Sequence, residues 1–232
     1  KPYNPKGVKW ETIELDRNLI LSYCPNLQIS MTDINSTSKS VILGIAIQTD
    51  QGKGLPQKEL SSLEGDIEDC FETWAGRWLC IYENEIYMDF AGIFACNFTS
   101  VNGETWSSSS LALLSSIIGD TRDHPDEILN NKLNWYLKPG TRNPLIKGLL
   151  PNQSLNIKTG RIRARNLYSK RDIKCSRVKA YKVMKETLVT GMKNIQKEHK
   201  NKTIWIPLSA GYDSRLLLAT AIHAQIPVKT YT

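Results

Sequence analysis

Near its C-terminal end the sequence carries Ser209-Ala210-Gly211-Tyr212-Asp213-Ser214, six residues whose types suit the binding of a phosphate or pyrophosphate group. Glycine at 211 lets the backbone approach an anion closely, and the hydroxyls of Ser209 and Ser214 add hydrogen bonds. A carboxylate beside phosphates is misplaced unless it helps to hold a cation. Asp213 is therefore assigned to Mg²⁺, which bridges phosphate oxygens and offsets their charge. The segment is not a Walker loop, since no G-K-[ST] follows a glycine-rich turn. Its bland reading is a strand-to-helix turn in which Ser214 caps the helix and Asp213 assists. The pattern assigns no catalytic residue.

Such a loop works only between a buried strand and a helix N-terminus, where free N–H groups and the positive end of the helix dipole meet the anion. The flanking sequence supplies both. Residues 203–208 (TIWIPL) read as a short buried strand, Arg215–Ile222 as a helix, and Val228–Thr232 as the next strand. Strand, loop, helix and strand in that order open a parallel α/β sheet. One such unit leaves bare edges and an uncovered face, so the sequence reads as the truncated start of a larger α/β domain.

Upstream, Tyr181, Met184, Leu188, Met192 and Ile195 recur at helical spacing with lysines between them, which predicts a docking helix from Ser176. Residues 138–175, rich in Pro, Gly, Asn and basic side chains, read as an extended connector. Before it the signals are short strands: Trp10–Ile13, Leu19–Tyr23, Val41–Thr49, Ile93–Thr99, and a hairpin of Gly76–Tyr82 with Glu85–Phe90 around Glu83-Asn84. Leu60–Trp74 and Ser107–Ile118 carry helical spacing. The expected division is a domain over 1–150, a basic linker over 151–175, and the start of a second domain over 176–232.

Composition narrows the class. With 41% hydrophobic and 23% charged residues, the chain of 232 should fold, and its longest apolar runs fall short of a membrane span. No secretory signal is visible in residues 1–20. Five cysteines without a C-x-x-C pair make a poor disulfide framework and fit a reducing, cytoplasmic setting. His124, His199 and His223 lack zinc-ligand spacing. Of the net charge of +7, residues 131–200 hold 18 Lys and Arg against three acids, or +15, leaving −8 elsewhere. The cluster of Arg161, Arg163, Arg165, Lys170 and Arg171 invites a nucleic-acid reading, but sparse aromatics favour a solvated face. An acidic partner surface or a polyanionic substrate is a third reading of the same stripe.

Residues 208–215 (LSAGYDSR) resemble the S-G-G-x-D-S pyrophosphate loop of the N-type ATP pyrophosphatases, particularly the asparagine synthetase and β-lactam synthetase group. Residues 74–81 (WAGRWLCI) with 87–92 (YMDFAG) are similar to that family's "G-x-[FW]-A…D-x-x-G" region in its glutamine-amidotransferase-like domain, and 147–155 (KGLLPNQSL) to its "L-P-P-G" connector. The resemblance implies an N-terminal Ntn-like αββα sandwich followed by the beginning of a parallel α/β ATP-pyrophosphatase domain. It further implies an ATP-dependent amidoligase that activates a small carboxylic acid as an acyl-adenylate, with ATP and Mg²⁺ as cofactors. Leu208, Ser209, Ala210, Gly211, Asp213 and Ser214 are then the nucleotide-binding residues, with Asp213 on the metal and Leu208 with 230–232 beside the adenosine.

Two departures stand out. Ala210 replaces the usual second glycine. The family's glutaminase uses an N-terminal Cys whose own α-amine is the base, whereas Lys1 stands first here, so a glutaminase-dead domain is expected. Asn102-Gly103-Glu104 matches the family's glutamine-binding triplet but falls after the D-x-x-G block and reads as a turn. Cys24, Cys70, Cys80 and Cys96 read as buried hydrophobes. The competing readings are a thiolation or sulfate-reducing ATP pyrophosphatase, and a pseudoenzyme or interaction module whose first domain serves docking or dimerisation. A homodimer is left open.

Overall fold

A computed structural model describes residues 9–35, 38–119, 136, 138–165 and 175–232. The chain is a mixed α+β protein with several antiparallel sheets and few helices, divided into two compact units. The first unit comprises Lys1–Ile45 and Arg77–Leu167, the second Ala46–Gly76 and Tyr168–Thr232.

Short runs of β-branched and aromatic residues, cut by Asn, Asp and Gly, build the strands. In chain order these are β1 (Glu11–Asp16), β2 (Leu19–Tyr23), β3 (Ile29–Asn35), β4 (Ser38–Gln48), β5 (Trp74–Tyr82), β6 (Glu85–Met88), β7 (Asn97–Val101), β8 (Glu104–Ser108), β9 (Lys147–Gly148), β10 (Gln153–Asn156) and β11 (Ile162–Ala164). They assemble as a β1–β2 hairpin, a six-stranded sheet in the order β11-β10-β6-β5-β4-β3, and a three-stranded sheet in the order β8-β7-β9. Leu43, Ile81, Met88 and Leu155 from the large sheet share one buried core with Phe98 of the small one and Leu149 just after it, and Leu15 of the hairpin joins them.

Two hairpin turns explain the register. Glu83 and Asn84 take φ of 47° and 68°, and Asn102 and Gly103 take 53° and 81°, the paired positive values whose twist matches that of the flanking strands. Asn102-Gly103 is thus the β7–β8 turn. Asp89, buried after β6, accepts from the N–H groups of Ala91, Ile93 and Phe94 at 3.0–3.1 Å, which holds a tight loop at the D-x-x-G position. The following strand consequently begins at Asn97 rather than at Ile93.

Three elements differ from the sequence expectation. Residues 60–74 do not form one helix: α1 (Pro56–Ser61) and α2 (Ile67–Phe71) are separated at Gly65, whose φ of 119° no helix accommodates, and Asp66 caps α2 by accepting from the Glu68 N–H at 3.0 Å. Ser107 and Ser108 lie in β8, so the next helix, α3 (Leu111–Ile118), starts later, with Ser110 as its cap. Within the stretch read as connector, β10 and β11 form an antiparallel hairpin, while 166–174 lies outside the described residues.

In the second unit, Ser176 caps α4 (Arg177–Glu198), followed by β12 (Ile204–Pro207), α5 (Tyr212–His223) and β13 (Val228–Tyr231). β12 and β13 pair in parallel, Ile204 opposite Val228 and Ile206 opposite Thr230. Alternation then aims Ile204, Ile206 and Val228 at one face, where they pack with Met192 of α4, Ala221 of α5 and Ile226. Among the described residues no helix is long and apolar enough to cross a membrane.

Candidate functional site

The strand, loop, helix and strand expected at the C-terminal end are present, and the loop is the turn from β12 into α5. Pro207 closes β12, where its missing N–H costs little. The parallel pairing runs one residue further, because the Leu208 N–H donates to the Tyr231 carbonyl at 2.8 Å. That bond brings Leu208 beside the 230–232 segment. α5 begins at Tyr212, three residues earlier than its apolar run suggests, so Asp213 and Ser214 belong to its first turn and Gly211 is its N-cap.

The loop is organised by one hydroxyl. Ser214 is buried at 8% exposure, whereas Ser209, Ala210, Gly211 and Asp213 are exposed and Leu208 is half-buried. The Ser214 Oγ lies 3.1 Å from the Ser209 Oγ, 3.2 Å from the Ser209 N–H that donates to it, and 3.2 and 3.3 Å from the carbonyl oxygens of Ser209 and Gly211. The Gly211 N–H in turn donates to the Ser209 Oγ at 3.2 Å. The peptide N–H groups of Ser209 and Gly211 are thus engaged by the loop's own hydroxyls.

The backbone explains the residue choices. Positive φ among non-glycine residues occurs only at Glu83, Asn84, Asn102 and Gln225 of the described residues, so Ala210 carries no left-handed strain. Gly211 has φ of −70°, an angle open to any residue; what it supplies is space, since a Cβ there would stand 3.1 Å from the Ser209 Oγ. Having no side chain, Gly211 also leaves the first N–H groups of α5 without a side-chain cap. These groups, with the dipole behind them, are the donors a phosphate would meet.

Charge at the corner is mixed. Asp213 is the acid of the first turn. Arg215 follows, donating through Nε to the Gly211 carbonyl at 3.2 Å and stacking over the Tyr212 ring at 4.6 Å. Sequence reading passed over this arginine, although its position one residue after the motif was the available signal. Among the described residues no group of three or more His, Cys, Asp and Glu could hold a metal ion. Asp213 alone still fits Mg²⁺, which commonly takes one or two protein carboxylates and completes its shell with phosphate oxygens and water.

Elsewhere the candidates resolve into structural roles. All five cysteines are free. Cys70, Cys80 and Cys96 are buried, and burial pushes the Cys70 and Cys96 thiols up to about 11. Within the basic stripe, Arg165 is buried, donates to the Met88 and Pro151 carbonyls at 2.7 and 2.9 Å, and stacks against Tyr87 and Phe90. Arg163 donates to the Tyr87 hydroxyl at 3.2 Å, and Lys170 and Arg171 lie outside the described residues. Of the described members only Arg165 is committed to the sheet by burial, while Arg161 and Arg163 are exposed. No protein-family model matches the chain, and no curated protein matches it significantly.

Proposed function

We propose that the chain carries the nucleotide-pyrophosphate corner of an ATP-dependent amidoligase of the asparagine synthetase-like kind, acting on a small carboxylic acid through an acyl-adenylate. The observation that carries the reading is the motif's context: Ser209–Ser214 turn from the C-terminal end of a parallel strand into an uncapped helix N-terminus. On this reading the first-turn N–H groups of α5 and the hydroxyls of Ser209 and Ser214 hold the β- and γ-phosphates, and Asp213 holds Mg²⁺. Bound Mg²⁺ supplies charge neutralisation on the phosphate oxygens. Release of the Ser209 and Gly211 N–H groups to a ligand exchanges weak internal hydrogen bonds for charge-assisted ones, which are roughly twice as strong. Leu208 and 230–232 flank the adenosine.

The finer architecture belongs to the same proposal: an Ntn-like αββα sandwich over 1–150, a linker over 151–175, and the opening of an ATP-pyrophosphatase domain over 176–232, in a cytoplasmic protein. The test is pyrophosphate release by the complete enzyme from ATP and its acid substrate, which Asp213→Ala should abolish; unchanged release in that variant removes the site.

One observation favours a second reading. The Ser209 and Gly211 donors are already satisfied within the loop, as in a pseudoenzyme whose corner has become a structural turn. Addition of ATP with Mg²⁺ separates the two, since only a working loop raises the melting temperature.

A further inference from the structure

α4 is packed over only part of its length. Thr190, Gly191 and Met192 are buried, and Asn194 donates to the Gln48 carbonyl at 2.7 Å, yet every residue from 177 to 187 is exposed. Eleven residues at 1.5 Å each make about 16 Å of helix that extends from the packed half with its side chains exposed. Val178, Tyr181 and Met184, at 79%, 58% and 43% exposure, continue the apolar stripe that reaches the core at Met192. Arg177, Lys179, Lys182 and Lys185 surround that stripe, with Glu186 as the one acid. The surface is amphipathic and cationic.

Its complement lies on the same unit. From 59 to 72 the chain holds six acids and no Lys or Arg, and Glu64, Asp66, Asp69 and Glu72 on and around α2 are exposed. Pairing α4 with another α4 sets like charges together and is disfavoured. Pairing α4 of one copy with the α2 region of another matches opposite potentials, and a two-fold arrangement would form that contact twice. We propose that the exposed N-terminal half of α4 docks on the acidic α2 surface of a second copy of this chain. The apolar side chains of α2 are buried and its exposed residues are acids, so the opposed charges carry the contact and set its salt dependence.

Sedimentation velocity over a concentration series at about 50 and about 500 mM NaCl tests this. The expected result is a dimer at low salt whose dissociation constant rises at least about tenfold at high salt. A Lys179→Glu, Lys185→Glu variant and a Glu64→Lys, Glu72→Lys variant should each be monomeric by themselves, and their equimolar mixture should dimerise, since the reversed charges again match. That recovery distinguishes a lost interface from a misfolded variant. A chain that stays monomeric, a dimer indifferent to salt and to both variants, or a mixture that remains monomeric overturns the proposal. So does a chain that binds polyanions through α4 while remaining monomeric.

Discussion

Ser214→Ala is the perturbation most sharply defined by the geometry of the corner. A hydroxyl has one proton and two lone pairs, so the Ser214 Oγ makes at most three good hydrogen bonds with the four partners within 3.3 Å. At about 1 kcal/mol each, the ceiling on their loss is about 3 kcal/mol. Ser209 and Gly211 are exposed and regain water as a partner, which reduces the expected cost to about 1–2 kcal/mol. For a chain of this size that lowers the melting temperature by about 2–8 °C. Ser209→Ala should cost less, and the double variant should fall short of the sum by at least about 0.5 kcal/mol, because the two hydroxyls share partners. Calorimetric scans of the four proteins read all these quantities. A Ser214→Ala variant melting within about 1 °C of the parent, or strictly additive losses, would refute the hub arrangement.

Other outcomes follow from features elsewhere in the fold. Gly44 takes φ of 86° and an added Cβ would lie 2.4 Å from the Arg77 carbonyl oxygen, so Gly44→Ala should lose more than about 3 kcal/mol or fail to accumulate in soluble form, as urea titration or expression yield will show. Burial raises the Cys96 thiol from 9.0 to about 11, so the unfolded thiol ionises first as pH rises. The stability it contributes is complete below pH 9 and is lost progressively towards pH 11, by about 2–3 kcal/mol; Cys96→Ala should flatten the alkaline side of a urea-midpoint profile.

The path from residues to architecture was readable wherever local chemistry decides the structure. Glu83-Asn84 predicts a two-residue hairpin because both positions must take positive φ, and they do. The β12–α5–β13 order was equally plain, since a short buried strand, a polar turn and an apolar helix differ in period. The helix expected over 60–74 failed because its apolar spacing survives a break at Gly65 and Asp66, and periodicity alone does not register a glycine forced to positive φ. At the candidate site the composition of the loop was legible, but its internal bonding was not. Which partner the Ser209 and Gly211 N–H groups take depends on where the Ser209 and Ser214 hydroxyls fall in three dimensions. Ala210 illustrates the converse: it stands where the resembled loop carries glycine, and because its φ is not positive the Cβ brings no left-handed strain.

A thermal-shift titration of the chain with ATP and Mg²⁺, run in parallel on Asp213→Ala, goes most directly to whether this corner binds a nucleotide. Saturation at about 100 times the dissociation constant should stabilise the parent by about 2.7 kcal/mol, with the gain largely lost in the variant and without Mg²⁺. A melting temperature that stays put at millimolar ATP, or rises equally in Asp213→Ala, would contradict it.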